Sequence, residues 1–151
     1  GTLSKALGAS GAYVCGGTSL RDFLLNRARS FVFSTAPAAA AAAAATAAVR
    51  LLSSDEGETL VERLRTVRAT LTCLLRGPEG GRAIFPVEIG EEHAAVAVSH
   101  RLRERGYFVP AVRFPTVAKG TARLRITVTA AHTRAHLEGL VAALEQAVRE
   151  E

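Results

Sequence analysis

The stretch Gly120-Thr-Ala-Arg-Leu-Arg-Ile-Thr-Val-Thr-Ala-Ala-His-Thr133 carries the strongest structural signal of this sequence. From Arg123 to Thr129, branched aliphatic residues alternate with arginine and threonine. Because successive side chains of a β-strand point to opposite faces of a sheet, this alternation predicts a strand with one buried and one polar face. Arg123 and Arg125 fall on the polar face.

The residues on either side of this strand predict a compact β-α-β-β-α unit, and therefore an α/β fold. An apolar segment at 83–89 predicts a first strand, and Pro86 favours a sheet edge because proline has no amide N–H to pair. Helical spacing of apolar residues predicts a helix at 91–104, which Gly106 ends. A further strand at 107–113 precedes the alternating one, and a final amphipathic helix follows it.

The first half of the sequence predicts a mixture of short strands and helices. Eight consecutive alanines after Pro37 predict a helix that is tightly packed and buried. The remaining predicted elements are a buried strand at 12–17, a helix that Thr18 or Ser19 caps, a strand at 30–35, and a helix over 60–74 that a turn at 77–81 ends.

The composition is that of a globular protein: of 151 residues, 48% are hydrophobic and 22% charged, and the formal net charge is +5. Length alone predicts a single domain. We expect a cytoplasmic protein, since the sequence contains neither a signal-peptide pattern nor a long apolar span. Because the chain does not begin with methionine, we also expect it to be the tail of a longer protein. A non-catalytic module for nucleic acid is an alternative, but aromatic residues are 5% and do not alternate with basic ones.

The cysteines and histidines predict neither a disulfide framework nor a metal site. Cys15 and Cys73 lie far apart in apolar surroundings and are expected to be reduced core residues. A helix would place His132 and His136 on one face, but no third ligand lies near them in the sequence. This favours a surface pair over a metal site.

Lys5 lies among hydroxyls and glycines in Gly1-Thr-Leu-Ser-Lys-Ala-Leu-Gly-Ala-Ser-Gly11, a setting that suits a Schiff base with an aldehyde cofactor. A lysine amine attacks a carbonyl only when it is neutral, and burial or nearby positive charge favours that form. Small neighbours let backbone and hydroxyl donors approach a phosphate. A solvated loop lysine is the alternative that this stretch leaves open.

Ser34 and Thr35 are two hydroxyls at the end of the predicted strand 30–35, just before the alanine-rich helix. Hydroxyls, unpaired amides and the helix dipole together form a phosphate site. A plain helix N-cap is the alternative.

The segment Arg113–Arg125 places arginines at two strand ends around a loop that contains Thr116. A planar guanidinium binds carboxylates bidentately, so these arginines suit the ends of an amino acid or a diacid. Exposed arginines on an edge strand are the alternative.

Taken in this order, the motifs resemble the carboxyl-terminal half of the α-oxoamine synthases, which are pyridoxal-phosphate enzymes of aminotransferase fold type I. The resemblance covers essentially the whole sequence. It rests on Thr2–Gly8, Phe33–Thr35, Ser54–Glu58 and Gly120–Thr133. It implies an α/β fold with the end of a large cofactor domain at 1–52 and a small domain at 53–151.

The resemblance implies four cofactor-binding residues. Lys5 is expected to form the Schiff base with pyridoxal 5′-phosphate (PLP) and then to shuttle the α-proton of the substrate. Thr2 is expected to contact the phosphate region. Ser34 and Thr35 are expected to reach the phosphate held by the partner subunit, which implies a homodimer with shared active sites.

Three further residues match substrate-binding positions of the family. Thr116 matches a substrate-contacting threonine, and Arg125 matches the arginine that pairs with the amino-acid carboxylate. Arg113 is expected to meet the distal carboxylate of a pimeloyl chain.

Thr116-Val117 and Gly120-Thr-Ala-Arg-Leu-Arg125 resemble the oxononanoate-forming branch of the family. The resemblance implies that the enzyme joins L-alanine to pimeloyl-CoA or a pimeloyl-carrier protein with loss of carbon dioxide in biotin biosynthesis. A branch that uses glycine, such as 2-amino-3-ketobutyrate ligase, shares the lysine and hydroxyl motifs and is the alternative. Phe114-Pro-Thr-Val-Ala118 departs from the Pro-Pro-Thr-Val-Pro of many relatives, which leaves the acyl-chain preference open. Other cofactor residues of the family precede the position of Gly1, so these 151 residues alone are expected to be inactive.

Overall fold

A computed structural model describes residues 1–77 and 83–151, and these divide into two compact units, Gly1–Glu58 and Thr59–Glu151. The elements of the described chain are α1 Thr18–Arg27, α2 Arg29–Val32, α3 Ala39–Leu52, α4 Asp55–Leu74, β1 Ile84–Gly90, α5 Glu92–Glu104, β2 Ala111–Val112, β3 Ala122–Thr127 and α6 Arg134–Arg149. The predicted turn at 77–81 lies largely outside the described residues. The predicted division into domains at residues 52 and 53 stays a prediction.

The second unit contains a three-stranded antiparallel sheet in the order β1-β3-β2. The alternating stretch forms the central strand β3, with Leu124 and Ile126 buried and Arg125 exposed. Pro86 lies in β1 at the sheet edge, as predicted. The β-α-β-β-α order is confirmed, although β2 is much shorter than the predicted strand at 107–113.

One face of the sheet packs against α5, α6 and the part of α4 that belongs to the second unit. The buried residues of this core are Val67, Leu71, Val98, Leu102, Val109, Leu124, Ile126, Val128, Leu137, Leu140, Ala143, Leu144 and Ala147. Burying each large aliphatic side chain stabilises the fold by about 2 kcal/mol, so this cluster is the main stabilising feature of the unit.

Helix α5 ends as the sequence predicts. Gly106 has φ +87°, which a side chain would make unfavourable. The amide of Tyr107 donates to the Leu102 carbonyl at 2.9 Å, and the amide of Gly106 donates to the Arg103 carbonyl at 3.0 Å. These two bonds form a Schellman motif, which turns the chain from α5 toward β2.

The two strands predicted in the first unit are wrong. Ala12 forms a single bridge with Thr2, and Tyr13 and Val14 are largely exposed rather than buried. Residues 29–32 form the short helix α2, not a strand. A short apolar run does not distinguish a strand from a helical turn, because runs of aromatic and β-branched residues occur in both and are too short to show a period.

Helix α1 begins at Thr18, but its N-cap is Gly17, and among the described residues no side chain caps it. The predicted cap by Thr18 or Ser19 is therefore wrong. Cys15 and Cys73 are free thiols, as predicted, but both are exposed, so their placement in a core is wrong.

The alanine-rich helix exists as predicted, but it is not buried all round. In α3 Ala45 is buried and Ala41 and Ala48 are half-buried, while the other residues are exposed. Spacings of four and three residues place these alanines on one face. Only one stripe of small side chains on α3 is therefore buried, and the rest of the helix surface is exposed.

Within the described ranges, 1–77 and 83–151, we find no helix with the length and apolarity needed to span a membrane.

Gly57→Ala is expected to destabilise the protein, because a Cβ at this position would lie 2.3 Å from the Leu51 carbonyl oxygen and 2.7 Å from Leu52 Cα. These are backbone atoms of the last turn of α3, and they cannot move without reshaping the connection to α4. We expect the free energy of unfolding to fall by about 2 kcal/mol or more, measured by chemical denaturation.

Gly139→Ala in α6 is the matched control. Its Cβ would also meet an atom at 2.3 Å, but that atom is Tyr107 Oη, the far end of a side chain that can rotate away. We expect the free energy of unfolding to fall clearly less for Gly139→Ala than for Gly57→Ala. Equal losses for the two variants would contradict the assignment of the Gly57 clash to rigid backbone.

Candidate functional site

Lys5 lies at the tip of a hydrogen-bonded loop that residues 1–13 form. Leu3 donates its amide to the Gly11 carbonyl at 3.0 Å, and Tyr13 donates to the Gly1 carbonyl at 3.0 Å, which closes the loop at its base. The amide of Gly8 donates to the Lys5 carbonyl at 3.2 Å, and Gly8 has φ +60°. A residue with a Cβ is disfavoured in that conformation, so the glycine allows the tight turn after the lysine.

The amine of Lys5 is exposed, and its Nζ lies 3.3 Å from Thr2 Oγ1. No carboxylate pairs with it among the residues that the structure describes. An ammonium tied to an acidic group would be held in its charged form, which cannot attack a carbonyl. The Lys5 amine is therefore accessible to a carbonyl, with one hydroxyl beside it.

Ser34 and Thr35 are exposed, and they lie in the segment between α2 and α3. Ser34 Oγ donates to the Ser30 carbonyl, one turn back. Helix α3 begins at Ala39 after the N-cap Ala38, so neither hydroxyl caps it. Residues 36–38 separate Thr35 from the helix, so the plain N-cap alternative is excluded, while the phosphate-binding role of the pair stays a prediction.

Arg125 occupies the middle of the sheet face that points away from the core. Its backbone partner on β1 is Pro86, and its side chain makes neither a hydrogen bond nor an ion pair with any described residue. Arg123, two residues earlier, is held instead: its Nε donates to the Thr121 carbonyl at 3.0 Å, and its Nη2 lies 3.7 Å from Glu88 Oε2. The sheet therefore presents one paired and one unpaired guanidinium.

Thr116 and Arg113 lie in the loop between β2 and β3, and both are exposed. The amide of Thr116 donates to the Arg113 carbonyl at 2.9 Å across the cis Phe114–Pro115 bond. Lys119 Nζ lies 5.3 Å from the centre of the Phe114 ring, within cation–π distance. The loop thus contains the predicted threonine and, separately, a cation that lies over an aromatic ring.

The ring nitrogens of His132 and His136 accept hydrogen bonds from backbone amides. His132 Nδ1 accepts from the Thr129 amide at 2.9 Å, and His136 Nδ1 accepts from the Thr133 amide at 3.3 Å. The Thr133 hydroxyl in turn accepts from the His136 amide, which completes a capping box at the start of α6. Across the described part of the chain, no three His, Cys, Asp or Glu residues are grouped to hold a metal ion.

Beside this cap, Arg134 Nε donates to Glu138 Oε1 at 2.6 Å. This hydrogen bond and the charge of Glu138 raise the pKa of Arg134.

The predicted site residues fall into two groups. Thr2, Lys5, Ser34 and Thr35 belong to the first unit, and the structure places Thr2 and Lys5 in contact. Arg113, Thr116 and Arg125 belong to the second unit. Sequence reasoning missed Glu88. Its place in an alternating strand could be predicted from the sequence, but the strand register that sets it opposite Arg123 could not.

The family model of class I and II aminotransferases matches residues 1–144. The chain belongs to this family. The predicted family resemblance and the predicted α/β fold, that of the carboxyl-terminal part of a fold-type-I PLP enzyme, are thereby confirmed.

Named relatives agree with this assignment. The chain is 48% identical to the 8-amino-7-oxononanoate synthase of Anaeromyxobacter sp. over 99% of its own length and 38% of the relative's. It is 47% identical to the enzyme of the same name from Methylobacterium nodulans over 97% of its own length and 38% of the relative's. A solved structure of a serine palmitoyltransferase with PLP superimposes with a TM-score of 0.88 at 25% identity, over 99% of this chain and 39% of that one. The chain thus spans about 40% of the length of the curated relatives it matches.

Proposed function

We propose that the protein is a PLP-dependent acyltransferase, an 8-amino-7-oxononanoate synthase that condenses L-alanine with a pimeloyl thioester and releases carbon dioxide, in biotin biosynthesis. The observation that carries this proposal is the accessible Lys5 amine beside Thr2, in a chain 41–48% identical to synthases of that name. The residues matched in those relatives make up about 40% of their length, so other parts of a full-length enzyme would complete the pocket.

The residues of the first unit fit PLP. An aldehyde needs an amine that no carboxylate holds, and Lys5 meets this requirement as far as the described residues go. The phosphate needs hydroxyl or amide donors, and the hydroxyls of Thr2, Ser34 and Thr35 are exposed. Bound PLP supplies an electron sink for the α-carbon of the amino acid. Once displaced from the cofactor by the substrate, Lys5 Nζ would accept and return the α-proton, with the Thr2 hydroxyl orienting the amine.

The residues of the second unit fit a carboxylate substrate. Arg125 has five N–H donors and no protein acceptor among the described residues, so its guanidinium is free to bind the amino-acid carboxylate bidentately. Thr116 would contact the substrate from the neighbouring loop. Arg113, at the start of the same loop, would pair with the distal carboxylate of the pimeloyl chain.

The apolar surface near Ser34 and Thr35 supports a homodimer with shared sites. Phe31 is 65% and Phe33 78% exposed, which is unusual for side chains of this size in a monomer. Arg29 lies over the Phe33 ring at 5.8 Å. In a homodimer this segment would be covered by the partner subunit, and its two hydroxyls would serve the partner's cofactor phosphate. We also propose that the enzyme lies in the cytoplasm.

Lys5→Ala is expected to abolish the visible absorbance of bound PLP and the condensation activity of the full-length enzyme that contains this chain. Lysines are rare in the chain: only Lys5 and Lys119 are present. Lys119→Ala is therefore a matched control, and it should keep the cofactor absorbance. Borohydride reduction followed by peptide mapping should place the pyridoxyl group on Lys5 and not on Lys119. Normal turnover by the Lys5→Ala enzyme would exclude the proposed function.

Arg125→Gln is expected to raise KM for L-alanine about 10- to 100-fold, because the substrate carboxylate loses a charge-assisted bidentate bond. Arg125→Lys should recover part of the loss through its charge alone. Steady-state kinetics with L-alanine, and then with glycine, measure both the role of Arg125 and the amino acid the enzyme uses. Glycine turning over faster than L-alanine with a short acyl thioester would favour the glycine-using branch instead.

Hybrid dimers test whether Ser34 and Thr35 act across the interface. Neither a Lys5→Ala enzyme nor a Ser34→Ala/Thr35→Ala enzyme should be active alone. In a hybrid dimer, one site would combine an intact Lys5 with intact hydroxyls from the other subunit. Mixed and re-equilibrated variants should therefore regain about a quarter of the wild-type activity, since about half of the dimers are hybrids with one intact site of two. No recovery on mixing would show that the hydroxyls act within their own subunit.

A further inference from the structure

Among the described residues, the outer face of the sheet carries three charged side chains, of which two are paired. Cross-strand pairing sets Glu88 of β1 directly opposite Arg123 of β3. Directly opposite residues of antiparallel strands point to the same face, so Glu88, Arg123 and Arg125 share it. The carboxylate lies 3.7 Å from Arg123, and Arg125 keeps no acceptor within the described ranges.

The strand register explains why the carboxylate holds Arg123 and not Arg125. The residue opposite Arg125 on β1 is Pro86, whose side chain has neither a charge nor a hydrogen-bond acceptor. Arg123 is also fixed by the Thr121 carbonyl at 3.0 Å and is the less exposed of the two, with 30% of its side chain accessible. The Glu88 carboxylate and the Thr121 carbonyl thus hold Arg123, while the side chain of Arg125 has no partner among the described residues.

The spacing of the two arginines matters for the choice of substrate. Residues two apart on a strand are about 6.7 Å apart along it and face the same side. Two free guanidinium groups at that spacing would suit a small amino acid with two carboxylates. One free group beside a neutral Glu88–Arg123 pair suits an amino acid with a single carboxylate.

We propose that Glu88 is a specificity-determining residue: by holding Arg123, it limits the sheet face to one free guanidinium and so disfavours dicarboxylic amino acids. This inference rests on the proposed function, in which Arg125 binds the amino-acid carboxylate. Glu88 acts through Arg123 and contacts neither cofactor nor substrate.

Glu88→Gln in the PLP-loaded full-length enzyme is the direct test. The side chain of Glu88 is 64% exposed and glutamine has nearly its shape, so the variant should fold normally. We expect the Kd for L-aspartate to fall about three- to tenfold relative to that for L-alanine, as one more cation becomes available at a partly exposed site. Both constants are measured by isothermal titration calorimetry. The change in preference should shrink when the salt concentration is raised, since the new attraction is screened.

Glu145→Gln is the matched control, because it removes a similarly long ion pair, 3.9 Å to Arg149, on α6. It should leave the ratio of the two dissociation constants unchanged. In an Arg123→Gln background, Glu88→Gln should no longer improve aspartate binding, because the arginine it would release is gone. An unchanged ratio in Glu88→Gln, or an equal improvement in the Arg123→Gln background, would overturn the inference.

The proposed function and this inference fail in different ways. If Arg125→Gln binds L-alanine normally, the role of Arg125 in the proposed function is wrong, whatever Glu88 does. If Arg125→Gln binds L-alanine weakly while Glu88→Gln leaves the preference unchanged, only the role of Glu88 is wrong.

Discussion

The central strand β3 constrains the whole second unit, because its two faces have opposite requirements. Leu124 and Ile126 must be buried against α5 and α6, and this forces Arg123 and Arg125 onto the outer face. A slip of one residue in the pairing would exchange the faces, burying two guanidinium groups at a cost of several kcal/mol each. The strand register therefore determines both the packing of the core and the exposure of the arginines. A core formed mainly for stability thus fixes where the two guanidinium groups lie.

The first unit uses a different principle. Very few of its side chains are buried, and its loop around Lys5 is held by backbone hydrogen bonds between residues 1–3 and 11–13 rather than by a core. A loop held in this way can present a lysine on the surface with its amine free. The exposed aromatic residues around Ser34 show the same absence of a local core in the described structure. This unit thus depends on covering surfaces more than the second unit does, which is consistent with a cofactor site that several segments share.

The predictions succeeded where the local pattern was long and periodic. The strand β3, the edge position of Pro86, the helix α5 and the glycine that ends it could all be predicted, since each follows from side-chain periodicity or from the special conformation of glycine and proline. They failed at the short runs 12–17 and 30–35, which contain too few residues for a period to be defined. The predicted burial of Cys15, Cys73 and most of α3 was also wrong. An apolar residue can be buried without cost, but its hydrophobicity does not show that another part of the protein packs against it.

By itself, the sequence determined the identity and order of the chemical groups: a lysine among small residues, a pair of hydroxyls, and arginines around a loop and strand. It also determined the family and the faces of β3, since these depend on local order and periodicity. Only the tertiary structure decided that Thr2 lies beside the Lys5 amine and that Ser34 and Thr35 do not cap α3. It also decided that Glu88 engages Arg123, while Arg125 has no side-chain partner among the described residues. The physical reason is that loop closure and strand register join residues distant in sequence, and their partners follow from the burial of the core rather than from any neighbouring residue.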